Sequence, residues 1–113
     1  MKIIEKKYHG SLLYRTLGYA ISCAIVKMLL DEGPTSLDEI ANRIEISKPG
    51  VSMHLRKLKI ANIIRFEKRR PKTYYWIKYP KEVTRALRAI DVLVARTTKR
   101  ITKDYWFISS FMN

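Results

Sequence analysis

The chain has 113 residues and a formal net charge of +13, with 23 Lys and Arg against 10 Asp and Glu. That length suits one domain with one core, and a chain that is 47% hydrophobic without a low-complexity tract is not disordered. The charge points to an anionic partner, nucleic acid ahead of a lipid surface, while a lone cysteine, Cys23, and two distant histidines, His9 and His54, exclude a disulfide framework and a cysteine-rich zinc site.

Residues 1–10, MKIIEKKYHG, read as a basic N-terminal arm without the apolar core of a signal peptide. The longest charge-free run, Thr16 to Val26, is too short to span a bilayer. A soluble, cytoplasmic and nucleoid-associated protein with no membrane partner is therefore expected.

From Ser11 to about Asp31 the pattern is helical, and Gly33-Pro34 ends it. At ~100° per residue, Leu13, Leu17, Ile21, Ala24 and Met28 form one apolar stripe. Leu12, Tyr19, Cys23, Val26 and Leu30 form another on roughly the opposite side. One stripe suits the chain's own core. The second is expected at the C-terminal helix or at another subunit, unless the whole helix is buried at the centre of the fold. A lone helical Cys is ordinarily a small buried hydrophobe. The alternative is that two Cys23 thiols meet across a dimer axis and form a disulfide, which intracellular proteins of hyperthermophiles tolerate.

Ser36 opens the next helix, with Glu39 three residues on completing a capping box and Asp38 and Glu39 suiting the positive end of the dipole. Leu37, Ile40, Ala41 and Ile44 line its inner face. Ser47 caps a third helix, Pro49 sits in its first turn, Val51, Leu55 and Leu58 anchor it, and Asn62 is a left-handed stop. Ile63 to Arg69 and Thr73 to Tyr79 are β-prone and alternate around Arg70-Pro71-Lys72, a hairpin. Pro80 opens a final helix, with Val83, Leu87, Ile90 and Val94 on one side. It runs past Ile101 into an aromatic end, Tyr105, Trp106, Phe107 and Phe111, assigned to core or interface.

The expected architecture is mainly α with a small β-hairpin wing: a winged helix-turn-helix with long N- and C-terminal helices. It divides into the arm at 1–10, the winged helix-turn-helix domain at 11–95 and a C-terminal helix extension with its aromatic tail at 96–113.

Between Ile46 and Tyr79 stand ten basic residues against Glu67 alone, so this third of the chain supplies +9 of the charge. On the helical wheel set by Val51 and Leu55, the outward positions are Pro49, Ser52, Met53 and Arg56, with Lys48 near the helix start and Lys57 flanking. A helix entering the major groove needs such a face. Arg56 suits guanine or a phosphate, Ser52 donates or accepts, and Met53 offers apolar contact, for instance to a thymine methyl. Ser47 and its neighbouring amides, with Lys48, suit one phosphate. The hairpin tip, Lys68, Arg69, Arg70 and Lys72, suits the minor groove or adjacent backbone. For any single one of these cations, a solvated surface charge is the plain alternative.

The stretch GVSMHLRKLKIANIIRFEKRRPKTYYWI resembles the recognition helix and wing of the ArsR-type winged-helix regulators, within a wider group that includes MarR-like proteins. Ser47, Val51-Ser52, His54-Leu55, Leu58, the Ala61-Asn62-Ile63-Ile64 exit, the basic wing and Tyr74-Tyr75 carry the resemblance, with Ala41 ten residues before Val51. It covers about residues 15–95.

The resemblance implies a dimeric, sequence-preferring transcriptional regulator of double-stranded DNA. Its recognition helix, about 47–61, would enter the major groove, and its wing tip, 68–72 with Tyr74 beyond it, would touch the flanking groove or backbone. The first and last helices would build a homodimer, here through Leu12, Tyr19, Cys23, Val26 and Leu30. His54 stands at the family's common position, with orientation or a phosphate contact as its role.

Two departures stand out: Glu45 occupies a turn position usually held by Gly, and Pro71 stiffens a wing that lacks its usual Gly. The paired thiols of metal-sensing members are missing, so neither a metal nor another cofactor is expected. No phosphate loop, paired carboxylates or nucleophile constellation suggests an enzyme. Two further readings remain open: a weakly selective architectural DNA-binding protein, and a winged-helix module that binds protein.

Overall fold

The computed structural model describes the backbone of residues 2–112 and the side chains of residues 10–98. The chain divides into two compact units, residues 1–80 and 81–113. The first contains α1 (Lys2–Leu17), α2 (Ala20–Glu32), β1 (Thr35–Ser36), α3 (Leu37–Ile44), α4 (Lys48–Ile60), β2 (Ile64–Arg69) and β3 (Lys72–Ile77). The second consists of α5 (Pro80–Met112) from Lys81 onward. This is the winged helix-turn-helix the sequence predicts.

The single helix expected from Ser11 to Asp31 is two helices, bent by 92° between Gly10–Leu17 and Ala20–Glu32. Gly18 closes the first: its N–H donates to the carbonyls of Tyr14 at 2.9 Å and Arg15 at 3.2 Å. A Cβ there would stand 3.1 Å from the Tyr14 oxygen, closer than side chains ordinarily tolerate. Tyr19 is then extended (φ −75°, ψ 125°) and begins α2. Residues expected as an arm are also helical, since α1 starts at Lys2.

The break resets the helical phase, and with it the buried face. α2 buries Ser22, Ile25, Val26 and Leu29, whereas Ala24, placed in the inner stripe, is exposed. Val26 corrects the expected dimer set: at 0% exposure it belongs to the core of its own unit. Leu12, Cys23 and Leu30 are half-buried and Tyr19 is exposed. Cys23 is a free thiol, and nothing supports the bridge between two copies.

Short-range signals hold where they were read. Ser36 Oγ accepts from the Glu39 N–H at 3.3 Å to start α3, and Ser47 Oγ accepts from the Gly50 N–H at 3.2 Å to start α4, with Pro49 in its first turn. Helix α3 ends on Glu45 in the left-handed region (φ 61°, ψ 42°), with the N–H groups of Glu45 and Ile46 both on the Ala41 carbonyl. The turn thus keeps the conformation that glycine usually supplies, despite the glutamate. Helix α4 ends on left-handed Asn62 (φ 62°), with Asn62 N–H on the Lys59 carbonyl and Ile63 N–H on that of Leu58. Those two bonds satisfy carbonyls the helix end would otherwise orphan.

The hairpin pairs Ile64 with Ile77 through to Arg69 with Lys72, so Lys72 is a strand residue and Arg70-Pro71 the turn. The two-residue β1 was not expected. It pairs Thr35 with Tyr75 and Ser36 with Tyr74, giving a three-stranded antiparallel sheet in the order β1-β3-β2. Ile25, Val26 and Leu29 of α2, Ile40 of α3, and Val51, Leu55 and Leu58 of α4 are all but fully buried. At ~1.5–3 kcal/mol per buried side chain of this size, this cluster fixes α4 against α2 and α3. Within α5, Ile90, Val92, Leu93 and Val94 are exposed. The side chains of Tyr105, Trp106, Phe107 and Phe111 lie outside the described residues.

Candidate nucleic-acid interface

Helix α4 is sharply two-sided. Val51, Leu55 and Leu58 face the core, while Pro49, Ser52, Met53 (49% exposed) and Arg56 form an outer ridge spaced at three and four residues. Ser47 and Lys48 are exposed at its start. The ridge joins a small hydroxyl, a thioether and a guanidinium, groups with the hydrogen-bonding and apolar chemistry to meet base edges.

His54 departs from the sequence assignment. It is 8% exposed and turned inward, with Nδ1 3.0 Å from Ser22 Oγ on α2 and the Tyr19 ring edge-on at 6.3 Å. Burial, and then the Lys57 charge, holds the imidazole below its ordinary pKa and so favours its neutral form. The side chain is therefore withdrawn from the outer ridge and from a phosphate contact; of its two expected roles, orientation of α4 fits this geometry. The signal was hard to read because Ser22 lies 32 positions away. Lys57 is half-buried, its ammonium 4.1 Å above the Tyr19 ring, and Lys59 stands 4.5 Å above Phe66.

Asp38, on the first turn of α3, belongs to this site although the sequence reading used it only for the helix dipole. Lys48 Nζ lies 2.8 Å from its carboxylate. The Lys48 hydrogen bond, the charge of Lys48 and the more distant charge of Lys72 all hold the Asp38 carboxyl below its ordinary pKa. One carboxylate thus feels both the start of α4 and the wing. The sheet register explains why: pairing of Ser36 with Tyr74 sets the start of α3 beside the strand that begins at Lys72.

In the wing, Arg69 is drawn back onto Glu67, with Nη2 at 3.1 Å and Nε at 3.2 Å from one carboxylate oxygen. The side chains of Lys68, Arg70 and Lys72 are exposed and make no hydrogen bond or ion pair among the described residues. Tyr74 is half-buried, paired through its backbone with Ser36 on one side and Glu67 on the other. Among the described residues no group of three or more His, Cys, Asp and Glu is placed to hold a metal ion. No single helix among them is long and apolar enough to cross a membrane.

Residues 23–65 match the family described as bacterial regulatory protein, arsR family. That span contains α3, α4 and the start of β2. No curated protein matches the chain in sequence. Among solved structures, the chain is similar to the homodimeric winged helix-turn-helix DNA-binding domain Mb0332 from Mycobacterium bovis, described as a possible ArsR-family transcriptional regulator. The TM-score is 0.72 at 17% identity, over 82% of this chain and 84% of that one. It is similar as well to HlyU from Vibrio cholerae (TM-score 0.66, 22% identity, 75% and 94% of the two chains). NolR from Sinorhizobium fredii matches with a TM-score of 0.66 and 20% identity over 76% and 87%. The resemblance to ArsR-type winged-helix regulators therefore rests on the matched segment and on the fold.

Proposed function

We propose that the chain is a dimeric transcriptional regulator that binds double-stranded DNA with sequence preference. Helix α4 enters the major groove through Ser52, Met53 and Arg56, while Ser47 and Lys48 at its start and Lys68, Arg70 and Lys72 of the wing meet phosphates. The observation that carries this reading is the two-sidedness of α4: core residues lock one face and leave the opposite ridge exposed, while Lys48 at the helix start and Lys72 of the wing both act on the Asp38 carboxylate. Dimerisation is supported by the exposed apolar residues Ile90, Val92, Leu93 and Val94 of α5, a feature that a second copy would cover, and by the homodimeric state named for Mb0332. Leu12, Cys23 and Leu30, half-buried on α1 and α2, remain candidates for the partner face. A regulator of this kind works in the cytoplasm, on the nucleoid, and performs no catalysis.

Selection of bound duplexes from a random pool, followed by footprinting, tests the reading. The expected result is a roughly palindromic site with half-sites ~34–36 Å apart on one face of the duplex. Protection without any sequence preference would favour the architectural alternative, for which the charge of +13 speaks. Absence of salt-dependent duplex binding would end the DNA reading altogether.

A further inference from the structure

We propose that Asp38 is a brake on DNA affinity: its carboxylate occupies the Lys48 ammonium, which reaches a phosphate only by exchanging one anion for another. The inference rests on the DNA-binding reading of the same face and concerns how strongly that face binds.

The contact is close, 2.8 Å, and both partners are solvent-exposed, so a phosphate can reach the ammonium without any rearrangement of the core. Asp38 is not needed as the side-chain cap of α3, because Ser36 Oγ already accepts the Glu39 N–H. The one acidic residue between Ile46 and Tyr79, Glu67, is itself held by Arg69. Asp38 is thus a negative charge set against two cations of the proposed interface, Lys48 by direct contact and Lys72 through space.

The exchange has a signature in salt. A lysine arriving from solvent releases about one condensed cation from the duplex. When Lys48 leaves Asp38, the carboxylate is uncovered beside the phosphates and recruits a cation of its own, which offsets that release. Removing the carboxylate therefore has two consequences. Affinity rises for every duplex, and its dependence on salt steepens.

The experiment is a set of duplex-binding titrations across salt concentrations with wild type, Asp38→Asn, Lys48→Ala and the double variant. Asp38→Asn should bind a random duplex about two- to fivefold more tightly at low salt and steepen the salt slope by up to about one. The gain should shrink by at least half in the Lys48→Ala background. Asp38→Ser, which keeps a helix-start side chain, should reproduce it. Glu32→Gln makes the same charge change on α2, where Glu32 pairs with Arg43, and should match wild type. Unchanged or weaker binding by both Asp38 variants would overturn the brake, as would a gain of full size without Lys48 or an equal gain from Glu32→Gln. A wild-type chain without salt-dependent binding would instead overturn the DNA reading beneath it.

Discussion

Helix α4 and the wing are both rich in cations, but they hold them differently. On α4, Lys48 is paired with Asp38, Lys57 lies over Tyr19 and Lys59 lies over Phe66. Arg56 alone of its cations stands clear on the outer ridge. In the wing, the side chains of Lys68, Arg70 and Lys72 are exposed and have no hydrogen bond or ion pair among the described residues. The contrast matches two separate demands of duplex recognition. Base readout needs a few side chains in fixed positions, whereas attraction to the backbone needs only charge that the protein has not already neutralised. A helix locked by its core suits the first demand, and a thin, charged hairpin suits the second.

The largest effect should come from loosening the lock. Leu55 is buried beneath the outer ridge, and Leu55→Ala should cost about 2–5 kcal/mol in chemical denaturation. A loss below about 1 kcal/mol would mean that α4 is not held by its core. The next effect falls on the ridge itself. Arg56→Ala should weaken binding to the best duplex by about 1–3 kcal/mol and relax sequence preference there. If competition with random DNA discriminates as well as before, Arg56 is not a reading residue.

The turn between α3 and α4 offers a smaller test, of opposite sign. Glu45 adopts a left-handed conformation (φ 61°) that costs an L-residue ~1–2 kcal/mol. Glycine escapes that cost but gives back about half in unfolded-state entropy. Glu45→Gly should therefore raise stability by about 0.5–1 kcal/mol without altering affinity; a fall in melting temperature would show that the glutamate side chain contributes something of its own.

The buried imidazole supplies the smallest effect, seen as a function of pH. Burial lowers the pKa of His54 in the folded state, so the unfolded chain takes up its proton first as acid is added. Stability from this residue should be complete above the ordinary histidine pKa of about 6.5 and decline as pH falls through it. His54→Gln should flatten that part of the melting-temperature profile. A wild-type profile already flat between about pH 7 and 5.5 would contradict a buried, neutral imidazole.

How much of this was legible in the sequence follows the range of the forces involved. The starts of α3 and α4 were readable because Ser36, Ser47 and Pro49 act within one helical turn, and the stop at Asn62 for the same reason. Gly18 was visible but ambiguous, since a helix tolerates an isolated glycine. Missing that break carried one helical phase through two helices, which put Val26 on a partner face and Ala24 in the core. The strand β1 has only two residues and exists because Tyr74 and Tyr75 pair with it. No local pattern announces that. His54 was assigned orientation or a phosphate contact by family position, and its ring faces a serine on another helix. Of the site, the α4 ridge and the wing tip could be read from periodicity and charge. The place of Asp38 among them depended on sheet register and could not.

The most direct test of this division of labour is a comparison of Arg56→Ala with a triple replacement of Lys68, Arg70 and Lys72 by alanine. Each is titrated with the selected duplex and a random one across salt concentrations. The triple variant should lose affinity for both duplexes alike, with a salt slope shallower by about two to three, while Arg56→Ala should lose mainly the preference between them. Equal losses on both duplexes from the two variants, with the same salt slope, would contradict it.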